Sequence, residues 1–172
     1  MATTYEAIAT VTVGSGGAAD ITFSSIPATY TDLCIKMSLR NVTNTETTGA
    51  VYFNSDTTNA NYSARRLLGD GSSASSANTA NPYFFYMDTT GETNNTFSNC
   101  EIYIPNYTGS NQKSISADSV TENNATAALA VIVAGLWTNT AAINAIQIRP
   151  YTAGNGNLAQ YSTATLYGIK NS

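Results

Sequence analysis

The stretch that most constrains the fold is residues 32–40. Leu33, Ile35, Met37 and Leu39 alternate there with Cys34, Lys36, Ser38 and Arg40. Period two held over eight residues is the pattern of a strand with one face in a core and the other in water. Ile21-Thr22-Phe23 alternates just upstream, and residues 24–31 (SSIPATYT) read as the connector between the two.

The rest of the chain repeats this style. Further strands are expected at 5–13, 51–53, 62–68, 82–87, 97–105, 113–120, 127–136, 143–149 and 161–170. Ser/Thr/Asn/Gly segments separate them. The longest, residues 69–81 (GDGSSASSANTAN), has no large side chain and predicts a mobile surface loop. Residues 138–142 (TNTAA) are expected to form one helical turn. No segment carries helical periodicity over three turns. About ten short strands at such spacings predict an all-β fold: one domain over residues 1–172, an antiparallel two-sheet sandwich of jelly-roll type.

Composition supports this and excludes several functions. Charged residues make up 10% of the chain, against roughly 25% in an average soluble protein. Ser, Thr and Asn replace them, and these residues compete with a helical backbone for hydrogen bonds. Net charge is −4 and the longest basic run is Arg65-Arg66, so neither nucleic acid nor an anionic membrane is an expected partner. The chain has no histidine, which removes Ser-His-Asp and Cys-His catalysis and the commonest transition-metal ligand. The N-terminal segment MATTYEAIATVTVGSGG lacks the basic and apolar regions of a signal peptide, so no cleaved export signal is expected. The most apolar run, AALAVIVAGLW at 127–137, falls short of the roughly 20 residues of a membrane span and reads as a buried central strand ending at a core-edge Trp137.

Alternation places Cys100 with Ile102 and Ile104 toward the core, and Cys34 on the face opposite Leu33. Two free thiols are therefore expected, compatible with assembly in a reducing cytoplasm. The five Asn-x-Ser/Thr triplets are read as coincidences of composition.

Three constellations have a chemical reading. Glu101, Asp118 and Glu122 lie on successive predicted strands, and two carboxylates suffice for glycoside hydrolysis if they meet; outward strand carboxylates are more simply exposed. Asn54-Ser55-Asp56 and Asp70-Gly71-Ser72 offer oxygen ligands of the kind calcium takes, without the spacing of an EF-hand loop. Neither is chosen: no catalytic residue, cofactor or metal site is expected. The third is aromatic. Tyr83 and Phe85 alternate with Phe84 and Tyr86, so one pair is expected to point away from the core, as a subunit interface or a ligand surface. Lys36, Arg40, Tyr83, Phe84, Phe85 and Tyr86 are the candidate interface residues. A partner covering the polar face of 32–40 would have to offer carboxylates or carbonyls to Lys36 and Arg40.

The blocks ITFSSIPATYTDLCIKMSLR, YFNSDTTNANYS, GDGSSASS, EIYIPNYTGSNQKS, VTENNA, GLWTNTAAINAIQI and YSTATLYGIKNS resemble, in that order, a family of small virion structural proteins of tailed phages of the marine and cyanophage kind. Nearly the whole chain is covered. The resemblance implies a non-enzymatic protein on the surface of a phage particle, assembled in the host cytoplasm. A capsid decoration, or cement, protein is the first expectation, bound to the major capsid protein and to itself as a homotrimer. A receptor- or carbohydrate-binding tail or fibre-tip component is the alternative.

Overall fold

The computed structural model describes residues 4–44, 48–124, 126–151 and 156–170. Its strands, numbered along the chain, are β1 (Tyr5–Thr12), β2 (Ile21–Phe23), β3 (Asp32–Leu39), β4 (Thr48–Phe53), β5 (Tyr62–Gly69), β6 (Ala74–Thr79), β7 (Tyr83–Tyr86), β8 (Ser98–Ile104), β9 (Lys113–Glu122), β10 (Ala128–Trp137), β11 (Ile146–Pro150) and β12 (Thr163–Ile169). One 3-10 turn, Asn59–Asn61, precedes β5.

The strands form two antiparallel sheets, with orders β1-β12-β3-β8-β9-β10-β5-β6 and β2-β11-β4-β7. The topology resolves into a jelly roll with two additions. The set β1-β12-β3-β8 faces the set β2-β11-β4-β7, and, with β5–β6 and β9–β10 set aside, the chain changes sheet at β1–β2, β2–β3, β3–β4, β7–β8, β8–β11 and β11–β12. That is an eight-stranded double Greek key. The two hairpins β5–β6 and β9–β10 are inserted between β4 and β7 and between β8 and β11. Both add to the β8 edge, widening one sheet to eight strands.

β3 sits inside the wide sheet, paired to β12 and to β8. Leu33, Ile35, Met37 and Leu39 are all buried, as the alternation predicts. Opposite them Ile21, Val51, Phe53, Ile146 and Ile148 come from the four-stranded sheet. At the far end the core is aromatic: Trp137 packs 5.4 Å from Phe53 and 6.4 Å from Tyr62, ring centre to ring centre, with Phe84 beside them. Gly135 makes room for Phe84, since a Cβ there would lie 2.6 Å from the ring.

A polar knot closes this end. The Trp137 Nε1–H donates to Asp56 Oδ2 at 2.9 Å, Asn61 Nδ2 donates to the same oxygen, and the Thr58 amide donates to Oδ1. The Tyr62 hydroxyl donates to the Asp56 carbonyl and accepts from the Phe53 amide. Burial works to raise the Asp56 pKa, but the bonds from Trp137, Asn61 and Thr58 outweigh it and hold the carboxyl below its ordinary value. The oxygen-rich 54–56 loop thus spends its carboxylate on the fold.

Three expectations are corrected. Residues 69–81 contain β6, an edge strand whose side chains are exposed on both faces. Asp70 makes the hairpin: its carboxylate accepts the amides of Ser72 and Ser73, and Gly71 takes the positive φ (+86°) the turn requires. Those same bonds hold its pKa well below the usual carboxylate range. Residues 138–142 form no helical turn, because their polar groups bond elsewhere. The Thr138 amide donates to the Asn61 carbonyl, and Asn54 Nδ2 donates to the Ala142 carbonyl. β10 is buried on one face only: Val131 and Val133 face the core, while Ile132 is 61% exposed.

Replacing Asp56 with Ala leaves the indole N–H and the Thr58 amide without their charged acceptor. The expected loss is about 2 kcal/mol at pH 7 in urea denaturation. Because the folded pKa is lowered, the carboxylate's contribution is present above its unfolded value of about 3.9 and is lost as pH falls through the lower folded value. The difference between wild type and variant should therefore shrink in acid.

Candidate functional site

The outer face of the wide sheet carries a continuous array of polar, charged and apolar side chains, and strand register sets its layout. One row runs Thr10, Thr165, Lys36, Glu101, Asp118, Ile132, Leu67, Ser76 across all eight strands. The next row towards the β9–β10 chain reversal holds Asn99, Val120 and Ala130; the row on the other side holds Tyr167, Cys34, Tyr103, Ser116, Ala134, Arg65 and Asn78.

Glu101 and Asp118 do meet, directly opposite each other on β8 and β9. They stand on an open face, and Lys36 Nζ lies 2.6 Å from Glu101 Oε2 with both side chains partly exposed. Desolvation, followed by repulsion from Glu101, raises the Asp118 pKa. Glu122 is elsewhere: its carboxylate accepts from the amides of Thr93 and Asn124 and ties the 88–97 segment to the end of β9.

The other sequence-predicted residues are placed less uniformly. Arg40 is buried by its own chain. Its guanidinium donates to the carbonyls of Thr93 and Thr96, at 2.9 Å each, and to that of Glu92. The carbonyls expected from a partner are supplied by the loop between β7 and β8, so Arg40 is removed from the interface set. Cys34 points to the outer face as expected, yet it is fully buried between Tyr167 and Tyr103 in register, with Tyr5 packed edge-on against Tyr167. Burial pushes its thiol up to about 11, and that of Cys100 up to about 12. Both cysteines are free.

Phe84 and Phe85 also leave the interface set. A β-bulge in β7 sets Phe85 opposite Gly49 but Tyr83 opposite Ala50, so simple alternation fails there. Both phenylalanines join the core; Phe85 occupies the space a Cβ on Gly49 would fill. Tyr83 and Tyr86 are half-buried, Tyr83 edge-on to Tyr151 and Tyr86 beneath the Arg66 guanidinium at 5.2 Å.

The cations are, with one exception, engaged. Lys36 holds Glu101, Arg40 holds its loop and Arg66 covers Tyr86. Lys113, fully buried, donates to the carbonyls of Gly109, Asn111 and Thr140. Arg149 lies over Tyr52, and Lys170 meets Glu6. Among the described residues, Arg65 bonds only the carbonyl of its neighbour Ala64. It borders a shallow depression of about 340 Å³, together with Leu67, Ile132, Ala134, Ser76 and Asn78. Leu67 is 60% exposed and Val120, two strands away, is 43% exposed. This patch was missed from sequence, though its signal was there: a strand covered on one face alternates, whereas β10 reads almost continuously apolar.

Comparison of the chain with family models, with curated proteins and with solved structures returned no match. No group of three or more His, Cys, Asp or Glu among the described residues is arranged to hold a metal ion.

Asp88 offers a test of how this region is built. It is buried where the 88–97 segment leaves β7, its carboxylate accepting the Glu122 amide. Burial raises its pKa. A raised carboxyl leaves the fold without penalty below the unfolded pKa of about 3.9 and destabilises it as pH climbs through the folded value. Asp88→Asn, which keeps an acceptor, should therefore be more stable than wild type at pH 7 and equal to it near pH 3.5, read by chemical denaturation at both.

Proposed function

We propose that this chain is a non-enzymatic structural protein of a tailed-phage particle, deployed as a decoration protein on the head shell beside the major capsid protein. The observation that carries the reading is the pair of strand orders β1-β12-β3-β8 and β2-β11-β4-β7. They define a jelly roll, an architecture used by viral shell and lectin domains. Fold alone does not assign function, and the phage-like sequence blocks supply the direction. The use of charge supports it too. Arg40 and Lys113 are spent on backbone carbonyls of their own loops, and the carboxylates of Asp56 and Asp70 on turns, as suits a rigid wall element. Two buried free thiols suit assembly in a reducing host cytoplasm.

The mechanism is adhesion. Specific interfaces bury about 1,600 Å² in total, and repetition over a shell multiplies modest contacts. Particles of the virus that encodes the chain, purified and quantified by mass spectrometry, should contain it at a copy number comparable to that of the major capsid protein. A handful of copies per particle, together with binding of the purified protein on a glycan array, would overturn the reading in favour of a receptor-binding tail component.

A further inference from the structure

The outer face of β9, β10 and β5 holds two charges that form no ion pair among the described residues. Among the described residues, Arg65 is the cation left without a carboxylate, an aromatic ring or a remote carbonyl. Asp118 is the carboxylate, among the described residues, for which no hydrogen bond or ion pair forms; its neighbour Glu101 has already taken Lys36. The two lie on opposite sides of β10, one row apart, with Ile132 and Ala134 between them. Leu67 and Ile132, each about 60% exposed, stand next to each other in that gap.

The arrangement is self-complementary. A two-fold axis lying in the plane of the face, perpendicular to the line from Arg65 to Asp118 and passing between Ile132 and Ala134, exchanges the positions of the two charges. A second copy laid on the face by that axis sets each Arg65 against the other copy's Asp118. Isologous contact of this kind is the commonest way soluble chains pair. An apolar centre with charges at its rim is the usual anatomy of such a contact. β9 and β10 are ten residues long and β5 eight, so the three strands at about 4.8 Å spacing give a flat face of about 460 Å², which side-chain relief enlarges toward the roughly 800 Å² per partner of a standard interface.

We propose that the chain pairs with a second copy of itself through the outer face of β9, β10 and β5, with Ile132 and Leu67 at the centre and reciprocal Arg65–Asp118 ion pairs flanking them. This does not depend on the virion reading. It replaces the three-fold association implied by the family resemblance with a two-fold one.

Sedimentation velocity of the purified chain at about 50 µM and pH 7.5, within the affinity range such interfaces span, should show a species of twice 18.1 kDa. Arg65→Asp and Asp118→Arg should each weaken the dimer roughly 100-fold, since each sets like charges face to face twice. The double variant should restore it. Ile132→Glu should abolish it without changing the circular dichroism spectrum, which serves as the control for folding. A monomer at this concentration, a trimer, or a dimer indifferent to the single charge reversals would each overturn the proposal. Indifference would point instead to pairing through the exposed β6 edge. None of these outcomes bears on the copy number in particles, so the two proposals fail separately.

Discussion

Everything in this structure hangs from the alternation in β3. Its even partition of side chains puts Leu33, Ile35, Met37 and Leu39 into the core and turns Cys34, Lys36 and Ser38 to the outer face, where Lys36 is exposed and Cys34 is covered by its neighbours. Each such burial contributes about 1.5–3 kcal/mol, and a slip of one residue would forfeit all four at once. The register is held on both sides, by β12 through Leu166↔Ile35 and by β8 through Ile102↔Ile35. The β8 side then serves as the template on which β9, β10, β5 and β6 are laid. The jelly roll supplies the core, and the widening supplies a surface.

Scarce charge is used structurally on most of that frame. Arg40 binds loop carbonyls, Lys113 pins the 106–111 turn, Asp56 receives the Trp137 indole and Asp70 shapes a hairpin. Buried charges are tolerated when their hydrogen-bonding capacity is filled, and for Arg40 and Lys113 it is filled mainly by backbone carbonyls. Against that background, Arg65, bonded to its neighbour's carbonyl, and Asp118, with no hydrogen bond or ion pair among the described residues, stand out.

The fold was largely legible in the sequence, because period-two alternation is strong wherever one face is buried. Twelve strands are described where about ten were read. β6 escaped because ASSANT carries no apolar alternation; pairing to β5 through the Asp70-Gly71 turn makes it a strand. The burial of both Phe84 and Phe85 escaped because a bulge breaks the period. Arg40 reads as an interface candidate in the sequence because the loop that covers it returns from more than fifty residues downstream. The candidate surface was the least legible part. The apolar run of β10 was read as evidence that both faces are buried, which is true only if something outside the chain covers the second.

Coverage of that second face is the central claim, and Ile132 is its centre. Both native thiols are buried and shifted far above the pH of alkylation, so a cysteine introduced by Ile132→Cys would be the reactive thiol of the folded chain. Its alkylation rate should be that of an open thiol in dilute protein and fall steeply as concentration rises and the face is covered. A rate that stays fast at every concentration would contradict the account.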